Sequence, residues 1–299
     1  MTAAPLAARC PAKINLGLAV LGRRADGYHD IATVFQTIDL EDRLSAITAS
    51  ELTLSCDDPS VPRDERNLVL RAALSLRDRV QGARGRGAAF ALEKRIPAGA
   101  GLGGGSSDAA GALLLLDALW GLGLGESALR EIAASIGSDV AFFLAGGRAL
   151  GEGRGEILTA LAPGPERLLV IGTPPEPLST AAVYASHAAT LTPPDRGVTV
   201  SRFLVKLAEG NDFARAENDL ERAAFAMRPE LVAFKSALSR EGAEPALLCG
   251  SGSSVFGMFA GAAEAGEAAR RLAVGFPDWA VRVARTTPHG ARVTFEAGS

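Results

Sequence analysis

A glycine-rich segment, Pro97–Gly111, constrains the fold more than any other part of the sequence. It reads PAGAGLGGGSSDAAG and places five glycines between Gly99 and Gly105. Glycine adopts positive φ without steric cost and leaves its backbone N–H groups uncovered. Ser106 and Ser107 are followed by an apolar run at helical spacing, so we predict a helix capped by a serine. Free N–H groups at a helix start attract anions, and the segment therefore predicts a phosphate site.

The surrounding residues exclude the best-known glycine loops. Gly99–Gly104 matches G-x-G-x-x-G, but a second predicted helix, Glu126–Ile136, stands where a dinucleotide-binding fold requires a strand. No lysine occurs between Lys94 and Lys206, so the lysine of a Walker A loop is missing. The sequences H-R-D and D-F-G of protein kinases are absent. A flexible linker is the plain alternative, but linkers are not followed at once by a capped apolar helix.

Composition limits the remaining classes of protein. The 299 residues carry a net charge of −3, which argues against a nucleic-acid partner, and they suffice for one large or two modest domains. Cys10, Cys56 and Cys249 suggest neither a disulfide framework nor a metal site, which favours a reducing cytoplasm. The N-terminus lacks a signal peptide, and the apolar run Ala109–Leu124 is too short to cross a membrane. We therefore expect a cytoplasmic protein without a membrane partner.

Hydrophobic patterns predict an α+β protein in two parts, residues 1–162 and 163–299, divided near the proline-containing stretch Leu161–Glu166. The predicted strands are Ile14–Val20, Tyr28–Ile38, Leu44–Thr48, Leu52–Cys56, Ala88–Lys94, Leu168–Gly172, Ala246–Cys249, Ser254–Phe259, Trp279–Arg285 and Arg292–Glu296. The further predicted helices are Asn67–Val80, Val140–Leu144, Thr180–Ala188, Val200–Ala208, Asp212–Ala226, Pro229–Ser239 and Ala262–Val274.

Polar residues in two places suggest a site. Lys13 and Asn15 share one face of the first strand, which is either a solvated face or a functional one. Tyr28 and His29 follow a predicted turn, a usual position for ligand contacts, although a single loop histidine is more often an ordinary surface residue.

Two further segments allow both a structural and a functional interpretation. Asp139 begins a short helix and either caps it or points into a cleft beside the glycine segment. Gly250–Ser254 is a small-residue turn that could approach an anion, although a β-turn is the simpler interpretation.

Three segments together resemble the GHMP kinase superfamily of small-molecule kinases, which includes homoserine and mevalonate kinases. They are PAKINLGLAVLGRRADGYHDIATVFQTID, PAGAGLGGGSSDAAGALLLLDALWG and LLCGSGSSVF. PAKINL, RADGYH and FQ in the first, with IGSDVAFFLAGGRALGEGRGE, resemble more narrowly the superfamily's kinases of a cytidine diphosphate-linked methylerythritol. The resemblance spans most of the chain and weakens between about His187 and Ala243.

The resemblance implies a fold and a set of site residues. The fold would be an ATP-binding domain like the second domain of ribosomal protein S5, followed by a ferredoxin-like α/β plait. Lys13 and Asp139 would be the catalytic pair, and Ser106 or Ser107 would lie near Mg²⁺. The implied ATP-binding residues are Asn67 beside adenine and Pro97, Ala98, Gly99, Ala100, Gly101, Leu102, Gly103, Gly104, Gly105, Ser106 and Ser107. The implied substrate-binding residues are Asn15, Tyr28, His29, Phe35, Thr180 and Tyr184.

Three functions remain possible at this point. The first is ATP-dependent phosphorylation of the 2-hydroxyl of the methylerythritol, a step of the non-mevalonate route to isoprenoid precursors. The second is another GHMP-type kinase acting on mevalonate, homoserine or a sugar, and the third is a nucleotide-binding module without activity. Two aromatic residues, Tyr28 and Tyr184, with His29 to read the cytosine edge, favour the first. Lys13 and Asp139 favour an enzyme, which we expect to be a monomer or a weak homodimer.

Overall fold

The computed structural model describes residues 5–188, 204–206, 209–210, 213 and 215–294. These residues form two β-sheets with helices packed against them, and the predicted α+β class is confirmed. In this part of the chain no helix has both the length and the apolar character needed to cross a membrane.

The first sheet carries most of the predicted site residues. Its strands are β1 (Leu6–Arg23), β2 (His29–Ala49), β3 (Leu52–Cys56), β4 (Gly87–Glu93), β5 (Arg148–Gly153), β6 (Ile157–Ala160) and β11 (Arg292–Thr294). The order is β11-β1-β2-β4-β3, with β5 paired to β2 and β6 paired to β5. Only the β3–β4 pair is parallel among the strand pairs of this sheet that the structure describes.

Helices cover one face of this sheet. They are α1 (Leu68–Arg79), α2 (Gly104–Trp120), α3 (Glu126–Ile136) and α4 (Val140–Ala145), and a 3₁₀ turn follows α1 at Gln81–Ala83. Helix α2 is apolar on nearly all sides, and it is buried against β1, β2, α1 and α4. Gly111 allows this approach, because a Cβ there would lie 2.5 Å from the Cys10 sulfur. The helix that follows the glycine segment is therefore fixed in the core.

The second sheet has the antiparallel order β10-β7-β9-β8. Its strands are β7 (Leu168–Thr173), β8 (Ala246–Leu248), β9 (Val255–Phe259) and β10 (Ala280–Arg285). Its helices are α5 (Thr180–Ala188), α6 (Glu221–Met227), α7 (Glu230–Arg240) and α8 (Ala262–Gly275). Ile14 and Ile38 of the first sheet share a buried cluster with Ile171 and Phe256 of the second. Strand β1 is consequently covered on both faces along its middle.

Three predicted elements differ from the structure. The predicted strand Leu44–Thr48 is the end of one continuous strand, β2, because β4 pairs along it without a break. The predicted helix Asp212–Ala226 is wrong over its described residues before Glu221: the helix begins only at Glu221, since Asn218 pairs with Leu18 and its side chain accepts the Leu220 N–H. Helix α2 is not capped by a serine, because its N-cap is Gly103 with φ +73°. Of the predicted helix Val200–Ala208, only residues 204–206 are described, and they are helical.

The predicted boundary between residues 162 and 163 stays a prediction. The second sheet begins at Leu168, close to that position. The last strand, however, returns to the first sheet, where Arg292 pairs with Arg9 of β1. The end of the chain therefore adds an edge strand to the sheet that the beginning of the chain starts.

Candidate active site

A cleft of about 1120 Å³ lies beside the glycine segment. Single-ligand pockets usually measure roughly 300–1,000 Å³, so this cleft has room for a nucleotide and a second small molecule. All predicted site residues border it except Leu102 and Ser107. Leu102 contributes its carbonyl instead, which accepts the backbone N–H of Lys13 at 2.9 Å. Strand β1 and helix α5, which carry the predicted site residues farthest apart in sequence, border the same cleft.

The start of helix α2 has the positive-φ backbone that the glycines predict. Gly101 and Gly103 have φ of +79° and +73°, and a Cβ on Gly101 would clash with the carbonyl oxygen of Cys249. No side chain caps this helix end among the described residues, so the first N–H groups of α2 are available to an anion. Ser106 borders the cleft, whereas Ser107 is fully buried and its hydroxyl has no hydrogen-bond partner there.

Lys13 is the centre of a small polar cluster in the cleft. Its ammonium donates a hydrogen bond to Asn15 Oδ1 at 2.8 Å and lies 3.9 Å from Asp139 Oδ2. Asn15 is fixed in turn, because its amide donates to the Thr33 hydroxyl at 2.8 Å. The ammonium also lies 5.5 Å from the centre of the Phe35 ring. A nearly buried cation is therefore held between an amide and a carboxylate at the edge of the cleft.

Asp139 occupies the N-cap position of α4 without acting as a cap. Its side chain makes no capping hydrogen bond and remains 29% exposed. Gly155 leaves space beside it, since a Cβ there would lie 3.6 Å from Asp139 Oδ1 and 3.3 Å from the Phe35 ring. Of the two interpretations of Asp139, the geometry favours a carboxylate directed toward the cleft.

Aromatic rings gather at the other end of the cleft. The His29 ring stacks on Tyr184, with ring centres 5.1 Å apart and planes 29° from parallel. Tyr28 is 58% exposed, and the guanidinium of Arg154 lies 5.0 Å from its ring centre. The stacking of a base between Tyr28 and Tyr184 stays a prediction, since His29 is the ring that meets Tyr184 in this structure.

The surroundings of His29 disfavour its protonated form. Burial lowers its pKa, and the charges of Arg23 and His187 lower the pKa further. Its Nε2 is buried and makes no hydrogen bond within the described part of the chain. A buried ring nitrogen without a partner is costly unless a ligand supplies one. This end of the cleft therefore suits a planar ligand with a polar edge.

Asn67 and Thr180 border the cleft but already have partners. Asn67 is the N-cap of α1: its Oδ1 accepts the Val69 N–H at 2.9 Å and its amide donates to the Pro62 carbonyl at 2.8 Å. Thr180 shares a hydrogen bond of 2.9 Å with the hydroxyl of Ser251, which also borders the cleft. The Gly250–Ser254 turn, for which a β-turn was the simpler interpretation, thus contributes directly to the cleft.

The sequence did not predict a cluster of three charged residues, Lys94, Asp42 and Asp108, at the glycine segment. The Lys94 ammonium pairs with Asp42 and, at 2.9 Å, with Asp108. Burial alone would lower the pKa of Lys94, but the charges of Asp108 and Asp42 outweigh it and raise that pKa. Burial raises the pKa of the Asp108 carboxyl. The position of Lys94 just before the glycines was the one available signal, because Asp42 and Asp108 lie 52 and 14 residues from it in sequence.

Replacing Lys94 by methionine leaves two adjacent buried carboxylates without their cation, and we expect a loss of about 3–5 kcal/mol of unfolding free energy. Burial already raises the pKa of Asp108, and without the Lys94 ammonium that pKa lies still further above the unfolded value. The contribution of Asp108 to stability is therefore present below about pH 4 and is lost as the pH rises through its folded pKa. Denaturant titrations at pH 5 and pH 8 measure this, and the deficit relative to wild type is larger at pH 8.

The matched control for Lys94 is Arg130→Met, which removes an exposed pair with Glu126 one helical turn away. We expect a change of about 0.5 kcal/mol or less there. A loss of unfolding free energy below about 1 kcal/mol for Lys94→Met would show that the buried ion pairs do not contribute to stability as proposed.

Comparisons with known proteins assign the chain to a class. The family description "GHMP kinases N terminal domain" matches residues 67–147, and "GHMP kinases C terminal" matches residues 204–277. A homoserine kinase structure from Cytophaga hutchinsonii shares the fold, with a TM-score of 0.78 at 19% identity over 97% of each chain. The class that this fold and this cleft define is that of the GHMP kinases.

Closer relatives narrow the assignment. The 4-diphosphocytidyl-2-C-methyl-D-erythritol kinase of Moorella thermoacetica is 44% identical over 87% of this chain and 91% of its own. That of Geobacter metallireducens is 42% identical over 94% and 98%. A crystal structure of a 4-(cytidine 5'-diphospho)-2C-methyl-D-erythritol kinase superposes with a TM-score of 0.74 at 37% identity, covering 94% and 98%. The chain belongs to the 4-diphosphocytidyl-2-C-methyl-D-erythritol kinase family.

Proposed function

We propose that this protein transfers the γ-phosphoryl group of ATP to the 2-hydroxyl of 4-diphosphocytidyl-2-C-methyl-D-erythritol, a step of the non-mevalonate route to isoprenoid precursors. The observation that carries the proposal is the position of Lys13, whose ammonium lies between Asn15 Oδ1 and Asp139 beside an uncapped helix start. The family membership of the chain supports ATP as the phosphoryl donor. The aromatic end of the cleft, with Tyr184 and the unpartnered Nε2 of His29, supports an acceptor that carries a base.

The glycine segment is the proposed site for the triphosphate. N–H groups at the start of α2 and the positive end of the helix dipole favour phosphate charge at the same place. Asn67 is committed to capping α1, so its proposed contact with adenine uses only the capacity that its two hydrogen bonds leave. The residues from Pro97 to Ser107 are likewise proposed to contact ATP.

The oxygen atoms near the helix start fit Mg²⁺, which prefers hydroxyl and carboxylate ligands and keeps several waters when it binds with a nucleotide. Ser106 borders the cleft and Ser107 holds an unpartnered hydroxyl, so Ser106 or Ser107 is the residue proposed to hold the ion. When bound, Mg²⁺ neutralises charge on the phosphate oxygens.

The chemistry is proposed to depend on two side chains. Asp139 accepts the proton of the acceptor hydroxyl, whose oxygen forms a bond to the γ-phosphorus as the bond to the ADP oxygen breaks. Lys13 stabilises the negative charge that spreads over the transferring group, and its neighbour Asn15 holds it in place.

The proposed function is tested by measuring ADP release with different acceptors. We expect rapid, acceptor-dependent release with 4-diphosphocytidyl-2-C-methyl-D-erythritol and only background release with mevalonate, homoserine or galactose. Turnover of one of these smaller alcohols at a higher kcat/KM would reject this acceptor in favour of another GHMP-type substrate. No release with any acceptor would leave nucleotide binding without catalysis.

Replacing His29 by phenylalanine should raise the KM of the acceptor about tenfold, the cost of one hydrogen bond to a base edge, because the ring still stacks on Tyr184. The KM of ATP should change less than twofold, since the glycine segment is untouched. Initial rates at varied acceptor and ATP concentrations separate the two constants.

His289 serves as the matched control, because it is exposed and does not border the cleft. We expect His289→Phe to behave as wild type. An unchanged acceptor KM in His29→Phe would remove His29 from base recognition.

A further inference from the structure

A five-residue segment, Glu217–Glu221, links the two halves of the cleft although it does not border the cleft itself. The predicted helix Asp212–Ala226 contains it, but Glu217–Leu220 is a short extended and turned piece, and α6 begins at Glu221. It lies in the part of the chain where the family resemblance is weakest. Its contacts on either side show what it holds together, and we call it the 217–221 segment.

On one side the 217–221 segment pairs with strand β1. Leu18 N–H donates to the Glu217 carbonyl at 2.9 Å, and Asp219 N–H donates to the Leu18 carbonyl at 2.9 Å. The Asp219 carboxylate also accepts the Val20 N–H at 2.9 Å. These bonds lie just beyond the irregularity that interrupts the β1–β2 pairing between Asn15 and Leu18, at residues where β1 pairs with β2 again. The segment therefore supports β1 directly after Lys13 and Asn15.

On the other side the Asn218 side chain is hydrogen-bonded to the end of β8 and to the turn that follows it. Its amide donates two hydrogen bonds, to the Leu248 carbonyl at 2.9 Å and to the Gly250 carbonyl at 2.7 Å. Its Oδ1 accepts the Leu220 N–H at 3.0 Å, so both ends of this 4% exposed side chain are used. The Glu221 carboxylate adds a third contact by accepting the Leu248 N–H at 2.9 Å.

The turn that Asn218 holds contacts the Lys13 cluster, the start of α5 and the glycine segment. A Cβ on Gly250 would lie 3.2 Å from Lys13 Nζ and 3.5 Å from Asn15 Oδ1, so its backbone packs against both side chains. Ser251 shares its hydroxyl hydrogen bond with Thr180 at 2.9 Å. Ser254 N–H donates to the Ala100 carbonyl within the glycine segment at 3.0 Å. A displacement of the turn would therefore move the cation, the acceptor side and the phosphate loop at once.

We propose that Asn218 is a positioning residue for phosphoryl transfer: its side-chain amide holds the Gly250–Ser254 turn against Lys13 and the glycine segment, so that the two substrates meet in line. The role rests on the proposed kinase activity. It deepens that activity by naming a residue that contacts neither substrate and yet fixes their mutual geometry. Misplacement of reacting groups by about 1 Å can cost roughly 10²-fold in rate.

The test is Asn218→Asp, which keeps the acceptor for Leu220 N–H and removes both donors to the turn. We expect kcat to fall about tenfold to a hundredfold, while the KM values of ATP and acceptor change less than threefold and the thermal midpoint shows a folded protein. Glu217→Ala is the matched control, because that side chain is exposed and only its backbone pairs with Leu18. A folded Asn218→Asp with kcat within twofold of wild type overturns the proposal.

Amide hydrogen exchange separates this inference from the proposed function, because it needs no substrate. Gly252 N–H donates to the Cys249 carbonyl and Ser254 N–H to the Ala100 carbonyl. We expect both amides to exchange at least tenfold faster in Asn218→Asp than in Glu217→Ala. Equal exchange rates in the two variants overturn the proposal, whether or not the wild-type protein phosphorylates the acceptor. If the two amides exchange faster in Asn218→Asp but the wild-type protein does not phosphorylate the acceptor, only the proposed substrate is rejected.

A second variant covers the case in which Asn218→Asp does not fold. Gly250→Ala places a methyl group 3.2 Å from Lys13 Nζ and leaves Asn218 intact. We expect kcat to fall at least tenfold, because the added group displaces the turn or the ammonium. If Gly250→Ala retains kcat within twofold, the position of the turn does not limit transfer and the proposal fails.

Discussion

Replacing Lys13 by methionine lowers kcat by about 10³-fold or more and leaves the protein folded. Cationic groups that stabilise the transferring phosphoryl are worth roughly 10³–10⁵ in rate, and in the proposed mechanism Lys13 is the side chain that does so. Methionine keeps most of the aliphatic volume against Phe35 and Gly103, so packing survives. Single-turnover measurements with saturating ATP and acceptor report the chemical step directly.

The fold should tolerate this change better than Lys94→Met. Asp139, the carboxylate left without a cation, is 29% exposed and can be solvated, whereas Asp42 and Asp108 are at most 3% exposed. The matched control is Lys206→Met at an exposed position, which should keep full activity. Lys13→Arg should remain poor, because the longer guanidinium does not fit the space between Asn15 and Asp139. A kcat within tenfold of wild type in Lys13→Met would assign the charge stabilisation elsewhere.

Local sequence signals were sufficient for the parts of the site that are contiguous in the chain. The glycines predict positive φ just before a helix, and Gly101 and Gly103 have positive φ ahead of α2, although the predicted serine cap is wrong. Alternation placed Lys13 and Asn15 on one face of a strand, and the two side chains do meet. In each case the interaction joins residues close in sequence, where periodicity and backbone preference determine the geometry.

Long-range partnerships could not be predicted in this way. Nothing near Lys94 indicates that Asp42, 52 residues earlier, would share its charge. Asn218 reads as part of an amphipathic run, and only the position of the turn after β8 explains why the helix there starts late. Asn67 illustrates the opposite case, because its capping of α1 follows from local sequence alone. Tertiary hydrogen bonds override local preference where a buried polar group needs a partner.

The architecture shows the same division. Strand and helix positions followed from pattern, but the return of β11 to the first sheet depends on pairing with β1 at the other end of the chain. Hydrophobic periodicity cannot choose that partner, because the second sheet also has edge strands, β10 and β8. The predicted boundary at 162/163 therefore lies close to the start of the second sheet, but it does not separate β11 from the first sheet.

Replacing Asp139 by asparagine is expected to lower kcat about 10²–10⁴-fold, the usual contribution of a positioned general base. The amide has the same shape, and Asp139 makes no capping hydrogen bond, so the start of α4 is unaffected. Asparagine cannot take the hydroxyl proton, while Lys13 keeps its hydrogen bond to Asn15. Rapid-quench measurement of phosphorylated product detects the loss, and Asp78→Asn on the exposed side of α1 is the control.

The double variant decides how the two residues act. If Asp139 and Lys13 serve one transition state, the loss in the Asp139→Asn, Lys13→Met double variant is much smaller than the product of the single losses. Near-wild-type kcat in Asp139→Asn, together with an inactive Lys13→Met, would show that no side-chain base is needed. Transfer would then rest on alignment and charge alone, as a loose phosphoryl-transfer transition state permits, because its nucleophile loses the proton late.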